Sequence, residues 1–315
     1  MVYFHDELSF LGGLIMRICS KAVSAVRSAS VAISDSWRLS LELKRESECV
    51  SGLVSIPIAT YDRVDVLVER TIPTLLESTY EALEIIVVSD GGQVGLRRAV
   101  SELGDERVRF IQLRTRSRYP RDPLDVWFVA GSRPRNIGAR YARGEFILWI
   151  SDDDVVLPTA ISALVGYLRE NPTIDAVGGA VQVREVNAKI NLPSQKPRQI
   201  GFETGAMPAW LHRRYLRAFR WSTSSWRKSW NRPADYDLAE RMLAKGRQFG
   251  AIDELVAIQP EVGTTGYVGS KAAIWEEINR RQLRRPTFGG CKDFWVQLWV
   301  ETFGKTERNI GKEGV

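Results

Sequence analysis

The chain has 315 residues, 44% hydrophobic and 26% charged, with 44 Lys and Arg against 38 Asp and Glu, 3 Cys and 2 His. That apolar content excludes a wholly disordered chain and supports one large domain with appendages; Cys19, Cys49 and Cys291 are too scattered for a disulfide framework or a zinc site and suit a reducing cytosol. The net charge of +6 calls for an anionic partner without choosing among nucleic acid, phospholipid and a nucleotide diphosphate, and no run reaches the ~20 apolar residues of a membrane span.

Residues 8 to 33 carry Leu8, Leu11, Ile15, Ile18, Ala22, Ala25, Ala29 and Ala32 at heptad-like intervals, with Arg17, Lys21 and Arg27 off the stripe. This is a helix that packs on the protein or on another subunit, or lies on a membrane surface, and Glu42 to Glu48 reads as a linker. From Leu53 strands and helices alternate. Leu53 to Ala59 is a strand, Val64 to Leu75 a helix kinked at Pro73, and Glu84 to Val88 a second strand ending at Ser89-Asp90-Gly91-Gly92. A helix near Gly95 to Leu103, a strand at Val108 to Leu113 and an arginine-rich loop through Arg135 follow, then a helix from Asn136. After the strand at Phe146 comes a helix defined by Ile161, Leu164, Val165 and Leu168, then a strand over Asp175 to Val183. Pro208 opens a helix to about Phe219, Ala234 to Lys245 forms another closed by Gly246, and Leu255 to Ile258 returns to the sheet. The polar tail from Lys271 carries Phe294, Trp295, Leu298, Trp299 and Phe303. Such alternation predicts a mostly parallel sheet covered on both faces.

The chemistry concentrates at Phe146 to Pro158. Phe146 to Ile150 is a run of five large apolar residues, the pattern of a strand buried on both faces, and it ends in Asp152, Asp153 and Asp154. Carboxylates at the carboxyl end of such a strand suit a hard divalent cation, Mg2+ or Mn2+. The bland alternative is an acidic turn in which Asp153 or Asp154 caps a helix begun by Pro158.

Leu53 to Asp62, Glu84 to Gly92, Arg135 to Glu145, the Asp triplet and Asp235-Tyr236-Asp237-Leu238 resemble, in order and spacing, family 2 glycosyltransferases of the GT-A fold. The resemblance covers about residues 53 to 260. It implies a Rossmann-like nucleotide-binding half and an acceptor-binding half around one mostly parallel sheet, at residues 51 to 265. A helical extension and linker would precede it at residues 1 to 50, and a helical tail would follow at 266 to 315.

By the same resemblance Thr60, Tyr61 and Asp62 line the nucleoside, Asp90 hydrogen-bonds the base, and Arg135 with Asn136, at a helix start, holds the diphosphate. Asp153 touches the metal and Asp152 contacts ribose or a metal-bound water, while Asp235 is the catalytic base. The bland readings are that Asp90-Gly91-Gly92 is only a turn, that Asp235 is a helix cap and that Asp237 is a surface acid. The chain departs from the pattern in four places, one of them Ser89, which precedes Asp90 where an acid is frequent. Ser151 stands where a first acid is common, Ala234 replaces a Glu, and Gln259-Pro260-Glu261 lacks the usual His, leaving Glu261 as a candidate ligand.

What the resemblance implies is an inverting, Mn2+- or Mg2+-dependent transfer, in polysaccharide biosynthesis, from a nucleotide-diphosphate sugar, UDP-linked by expectation. The acceptor is a saccharide or lipid-linked hydroxyl. Gly205 to Trp210 lines the sugar pocket, and Trp210, Trp221 and Trp226 are candidates for stacking on sugars. The expected setting is cytoplasmic, with residues 8 to 33 and the Trp295 patch touching the inner face of a membrane, with self-association and with no specific nucleic acid. The rival from another class is a catalytically degenerate GT-A-like module that binds nucleotides or polyanions as a scaffold. A nucleotidyltransferase would need a Gly-rich basic loop where Ala59-Thr60-Tyr61-Asp62 stands.

Overall fold

The computed structural model describes residues 2–91, 94–184, 210–227 and 234–260. A long helix, α1 (Val2–Lys44), ends in a 3-10 turn at Glu46–Glu48 and leads into β1 (Val50–Thr60). Then α2 (Val64–Val66), a π-helical turn (Leu67–Thr71) and α3 (Ile72–Leu76) run on as one helical segment to β2 (Leu83–Ser89). Next are α4 (Leu96–Glu102), β3 (Val108–Gln112), α5 (Pro123–Val129), α6 (Ser132–Tyr141) and β4 (Gly144–Trp149). The short β5 (Val155–Val156), α7 (Ala160–Glu170) and β6 (Ala176–Arg184) follow, then β7 (Trp210–Arg213), a 3-10 turn at Arg214–Ala218, α8 (Ala234–Leu243) and β8 (Phe249–Pro260).

These strands form one sheet in the order β3-β2-β1-β4-β7-β6-β8-β5. β1 is parallel to β2 and β4, β2 to β3 and β6 to β8, while β7 runs antiparallel to β4 and β6, and β5 to β8. The two-sided burial read from the apolar runs is real. Phe146, Leu148 and Ile150 enter one core layer and Ile147 and Trp149 the other, just as Ile85 and Val87 part from Ile86 and Val88 in β2. A one-residue slip in register would exchange the layers, so each strand is pinned. Helix α6 lies against β1 and β2 at Gly138, where a Cβ would come within 2.7 Å of Pro57 Cβ, so this glycine permits the close approach.

Several expectations change. The expected linker at Glu42 to Glu48 is the last turn of α1 and a 3-10 turn, fastened to the core by an ion pair between Glu42 and Arg217 at 2.7 Å. The Ala22, Ala25, Ala29 and Ala32 part of the stripe is exposed, and α1 instead docks through Asp35 and Leu39. The disturbance expected at Pro73 appears as the π turn just before it, because proline has no N–H to donate and its ring clashes with the carbonyl four residues earlier. Helix α5 lies unforeseen inside the arginine-rich segment. The helix expected from Pro208 to Phe219 is β7 and a 3-10 turn, since Trp210, Leu211 and His212 are inserted between β4 and β6 and buried on both faces. The tail and its Trp295 patch, Gly92, Glu261 and residues 205–209 of the expected sugar pocket lie outside the described residues.

One buried ionic cluster fastens α1. Arg241 of α8 bonds Asp237 at 3.1 Å on its own helix and Asp35 of α1 at 3.0 Å, and both acids are essentially buried. Asp237 is therefore not the surface acid of the bland reading. Breaking a buried pair from one side leaves the other charge uncompensated, at a cost of about 3–5 kcal/mol. Arg241→Ala is expected to destabilise the fold by that order in urea denaturation, more than Arg98→Ala, whose pair with Glu102 is exposed.

Candidate functional site

The carboxyl ends of β1, β2 and β4 lie on one edge of the sheet, where open α/β sheets place ligands. Thr60 ends β1, Asp90 follows β2, and the Asp triplet follows β4. The sequence forces this meeting, because parallel neighbours in register end together.

The triplet does not act as one unit. Asp154, fully buried, turns inward so that its Oδ2 accepts the Ser151 N–H at 2.7 Å, while its Oδ1 has no hydrogen-bond partner. The helix-capping alternative fails, since α7 begins at Ala160 with Thr159 at its N-cap and β5 intervenes. Burial pushes the Asp154 carboxyl up to about 7, and Asp153 beside it adds to the shift. Asp152 is pushed up to about 6 by burial, held down in part by Arg63 and by a hydrogen bond from Thr60. Its own backbone carbonyl accepts the Thr71 hydroxyl at 3.0 Å.

Asp152 and Asp153 face outward toward Arg63. The Arg63 Nη1 donates to Asp153 Oδ2 at 2.7 Å and to Asp152 Oδ1 at 3.0 Å. Burial works against the Arg63 cation, but Asp152, Asp153 and Asp62 outweigh it and raise its pKa. Among the described residues no group of three or more His, Cys, Asp and Glu surrounds one point as a closed metal cage. Two carboxylates converging on one cationic nitrogen nevertheless fit the kind of divalent site that takes one or two protein carboxylates and completes its shell with phosphates and water.

Arg135 and Asn136 are not at a helix start. Helix α6 begins at Ser132 after Gly131, and the Arg135 N–H already bonds the Gly131 carbonyl at 2.9 Å, so the helix N-terminus offers no free donor at these residues. Arg135 is half-buried, with its guanidinium 4.9 Å above the Trp221 ring; burial lowers its pKa against the pull of Asp152, Asp235 and Asp154. The Asn136 amide is spent on the backbone. It donates to the Trp221 carbonyl and accepts the Trp221 N–H, both at 2.8 Å. Asn136 thus sets the ring on which Arg135 rests.

Asp235 lies half-buried in the first turn of α8, close enough to Arg135 to act on its charge. Asp90 is buried: its Oδ1 accepts the Ser117 N–H at 2.9 Å and the Ser117 hydroxyl at 2.6 Å, and its Oδ2 accepts the Tyr119 hydroxyl. The loop after β3 is thereby drawn over the ends of β1 and β2. Arg116 lies 4.0 Å over the Tyr61 ring, and Gly91, at φ 84°, faces the Arg116 backbone so closely that a Cβ would meet it at 2.8 Å. Asp62 is exposed.

The sequence reading missed Arg63, Ser117 and Tyr119. Arg63 was visible as a cation immediately after Asp62 at a strand end; Ser117 and Tyr119 carried no signal, since only the folded loop brings them to Asp90.

Beneath the site lies an aromatic floor. The Trp149 Nε1 donates to His212 Nε2 at 2.7 Å, which leaves His212 Nδ1 to donate to the Arg213 carbonyl at 2.7 Å, and Trp221 meets Trp149 edge-on. Burial pulls the His212 pKa from 6.5 down to about 4. His212 therefore contributes stability that is lost on acidification between pH 6.5 and 4, while Asp152 and Asp154, whose pKa values burial raises, contribute in the opposite sense as they take up protons over the same range. Urea melts at pH 7.5 and 4.5 are expected to show a drop attributable to His212 of about 3 kcal/mol, by 1.36 kcal/mol per unit, that His212→Gln lacks. Asn136→Ala is expected to cost about 1–3 kcal/mol in the same assay, because it strands the Trp221 backbone groups.

Comparison with known proteins bears on the same region. Residues 129–226 match the family described as Glycosyl transferase family 2. A Haemophilus influenzae protein named as an uncharacterized glycosyltransferase is 27% identical over 133 residues, which is 42% of this chain and 37% of the relative. A Haloferax volcanii protein named glucosyl-dolichyl phosphate glucuronosyltransferase is 30% identical over 130 residues, 41% of this chain and 38% of the relative. The matched part is thus less than two fifths of these curated relatives. Crystalline S. aureus TarS 1-349 in complex with UDP-GlcNAc superposes with a TM-score of 0.52 at 15% identity, covering 81% of this chain and 74% of that one. That likeness is one of fold, and the fold is GT-A. The family match contains Arg135, Asn136 and the Asp triplet; Thr60, Tyr61, Asp62, Asp90 and Asp235 lie outside it.

Proposed function

With a family 2 glycosyltransferase segment set in a GT-A fold as the premise, we propose that this protein is an inverting, divalent-metal-dependent glycosyltransferase. Its donor is a nucleotide-diphosphate sugar, UDP-linked, and its acceptor a saccharide or lipid-linked hydroxyl. The observation that carries the proposal is the meeting of Asp152 and Asp153 on one cationic nitrogen, Nη1 of Arg63, just beyond the carboxyl end of β4 and within the segment that matches the family.

Thr60, Tyr61, Asp62 and the Asp90-pinned loop form the nucleoside wall. Asp153, with Asp152 beside it, would hold the Mn2+ or Mg2+ ion, which would supply positive charge to the departing diphosphate. Arg135, fixed over Trp221, presents a permanent guanidinium to the same oxyanions. The Asp235 carboxylate takes the proton of the acceptor hydroxyl as it attacks the anomeric carbon from the side opposite the leaving group. Asp235 is half-exposed and lies within electrostatic reach of Arg135.

The name of the Haloferax volcanii relative supports a lipid-linked acceptor, and the UDP-GlcNAc bound to TarS supports a UDP donor. No helix among the described residues is long and apolar enough to cross a membrane; the contact with a lipid-linked acceptor is read as peripheral, at the cytoplasmic face. The exposed Val26, Ile33 and Trp37 of α1 support such contact.

Turnover of a UDP-sugar with Mn2+ or Mg2+ tests the assignment. Asp235→Asn is expected to lower it by roughly 10²–10⁴-fold, the usual worth of a general base, and Asp153→Ala to remove its dependence on metal along with most of the rate. Wild-type turnover in both variants would overturn the proposal.

A further inference from the structure

The acidic pair already has a cation. One nitrogen, Nη1 of Arg63, stands 2.7 Å from Asp153 Oδ2 and 3.0 Å from Asp152 Oδ1. A divalent ion shared by these oxygens would sit about 2.0–2.6 Å from them and so would compete with the guanidinium for the same two acceptors. Nitrogen and ion cannot both have them. The Arg63 side chain is 22% exposed, against 11% and 14% for its two partners, so the cation reaches in from solvent and has a path out. Arg63 also stands at the junction of β1 and α2, at φ −111° and ψ 50°, outside both regular elements.

We propose that Arg63 is a competing cation at the Asp152–Asp153 site, which sets the threshold for divalent metal entry and couples that entry to nucleotide binding. The proposal rests on the reading of these two residues as the metal site. Loading is an exchange: the ion takes the two carboxylates and the guanidinium loses them. Metal alone must therefore meet the cost of expelling Arg63. A nucleotide diphosphate brought in with the metal offers the freed guanidinium new oxyanions at the same edge of the sheet, and a planar fork is suited to them. Metal and nucleotide then bind with positive cooperativity through this residue, and linkage requires that each tighten the other by the same factor. The arrangement also keeps two adjacent carboxylates from repelling one another while no metal is present.

The test titrates Mn2+ alone, without sugar donor or turnover, into wild type, Arg63→Gln and Arg63→Lys by calorimetry and by the loss of the free-Mn2+ paramagnetic resonance signal. It is repeated at saturating UDP. Arg63→Gln is expected to bind Mn2+ alone about tenfold more tightly than wild type and to lose most of the enhancement that UDP gives, a coupling of ordinary size. Arg63→Lys, which keeps the charge as a point rather than a fork, is expected to fall between them. Thermal melts confirm that each variant is folded. Equal or weaker Mn2+ binding in Arg63→Gln would overturn the proposal, as would a UDP enhancement unchanged from wild type. Absence of Mn2+ binding in all three proteins would overturn the metal site with it, whereas the transferase reading stands or falls separately on the turnover of Asp235→Asn.

Discussion

The structure depends on how three consecutive carboxylates are tolerated at the end of a strand buried on both faces. The apolar run of β4 fixes the strand between two core layers, so Asp152, Asp153 and Asp154 cannot move away from the low-dielectric edge. The chain resolves the charge by dividing it. Asp154 turns into the protein and closes a turn on Ser151, its carboxyl pushed well above the usual range by burial, while Asp152 and Asp153 share Arg63 from the outside and Arg135 contributes a more distant charge. On the reading proposed above, the cation this edge would take is a metal that brings a diphosphate with it.

The position of Arg135 follows from a chain of contacts that begins in the sheet. Trp149 and His212 are neighbours across β4 and β7, the Trp149 indole is held by the neutral imidazole, and Trp221 stands edge-on to it. Asn136 fixes the Trp221 backbone from α6, and Arg135, one residue earlier on the same helix, lies over the ring. A guanidinium is hard to hold in place by its flexible stem; here it rests on a surface whose own position is set by two backbone hydrogen bonds. The adjacent Arg-Asn pair divides the work, one residue for the charge and the other for the support beneath it.

Much of this could be read from the residues. The runs at β1, β2 and β4 announced two-sided burial, and the acids at their ends marked out a candidate site, because burial on both faces leaves a strand only its ends for function. What could not be read was pairing across distance. Whether Trp210 to Arg213 is helix or strand depends on the open place between β4 and β6, not on its own propensity. The partners of Asp90, Ser117 and Tyr119, lie 27 and 29 residues away on an irregular loop with no periodicity to mark them. Asp237 looked like a surface acid because its partner Asp35, reached through Arg241, is some two hundred residues distant in the chain. The start of α6 was set four residues late because a glycine N-cap carries no side-chain oxygen to announce it.

The Asp35–Arg241–Asp237 fastening has a mechanical side. Helix α1, with 43 residues at 1.5 Å each, is a rod about 64 Å long. Its fixed end grips α8 through a charge cluster that includes Asp237, two residues from Asp235 and one helical turn from the start of the helix that positions it. The buried ion pairs that dock α1 therefore act on the first turn of the same helix whose backbone carries Asp235.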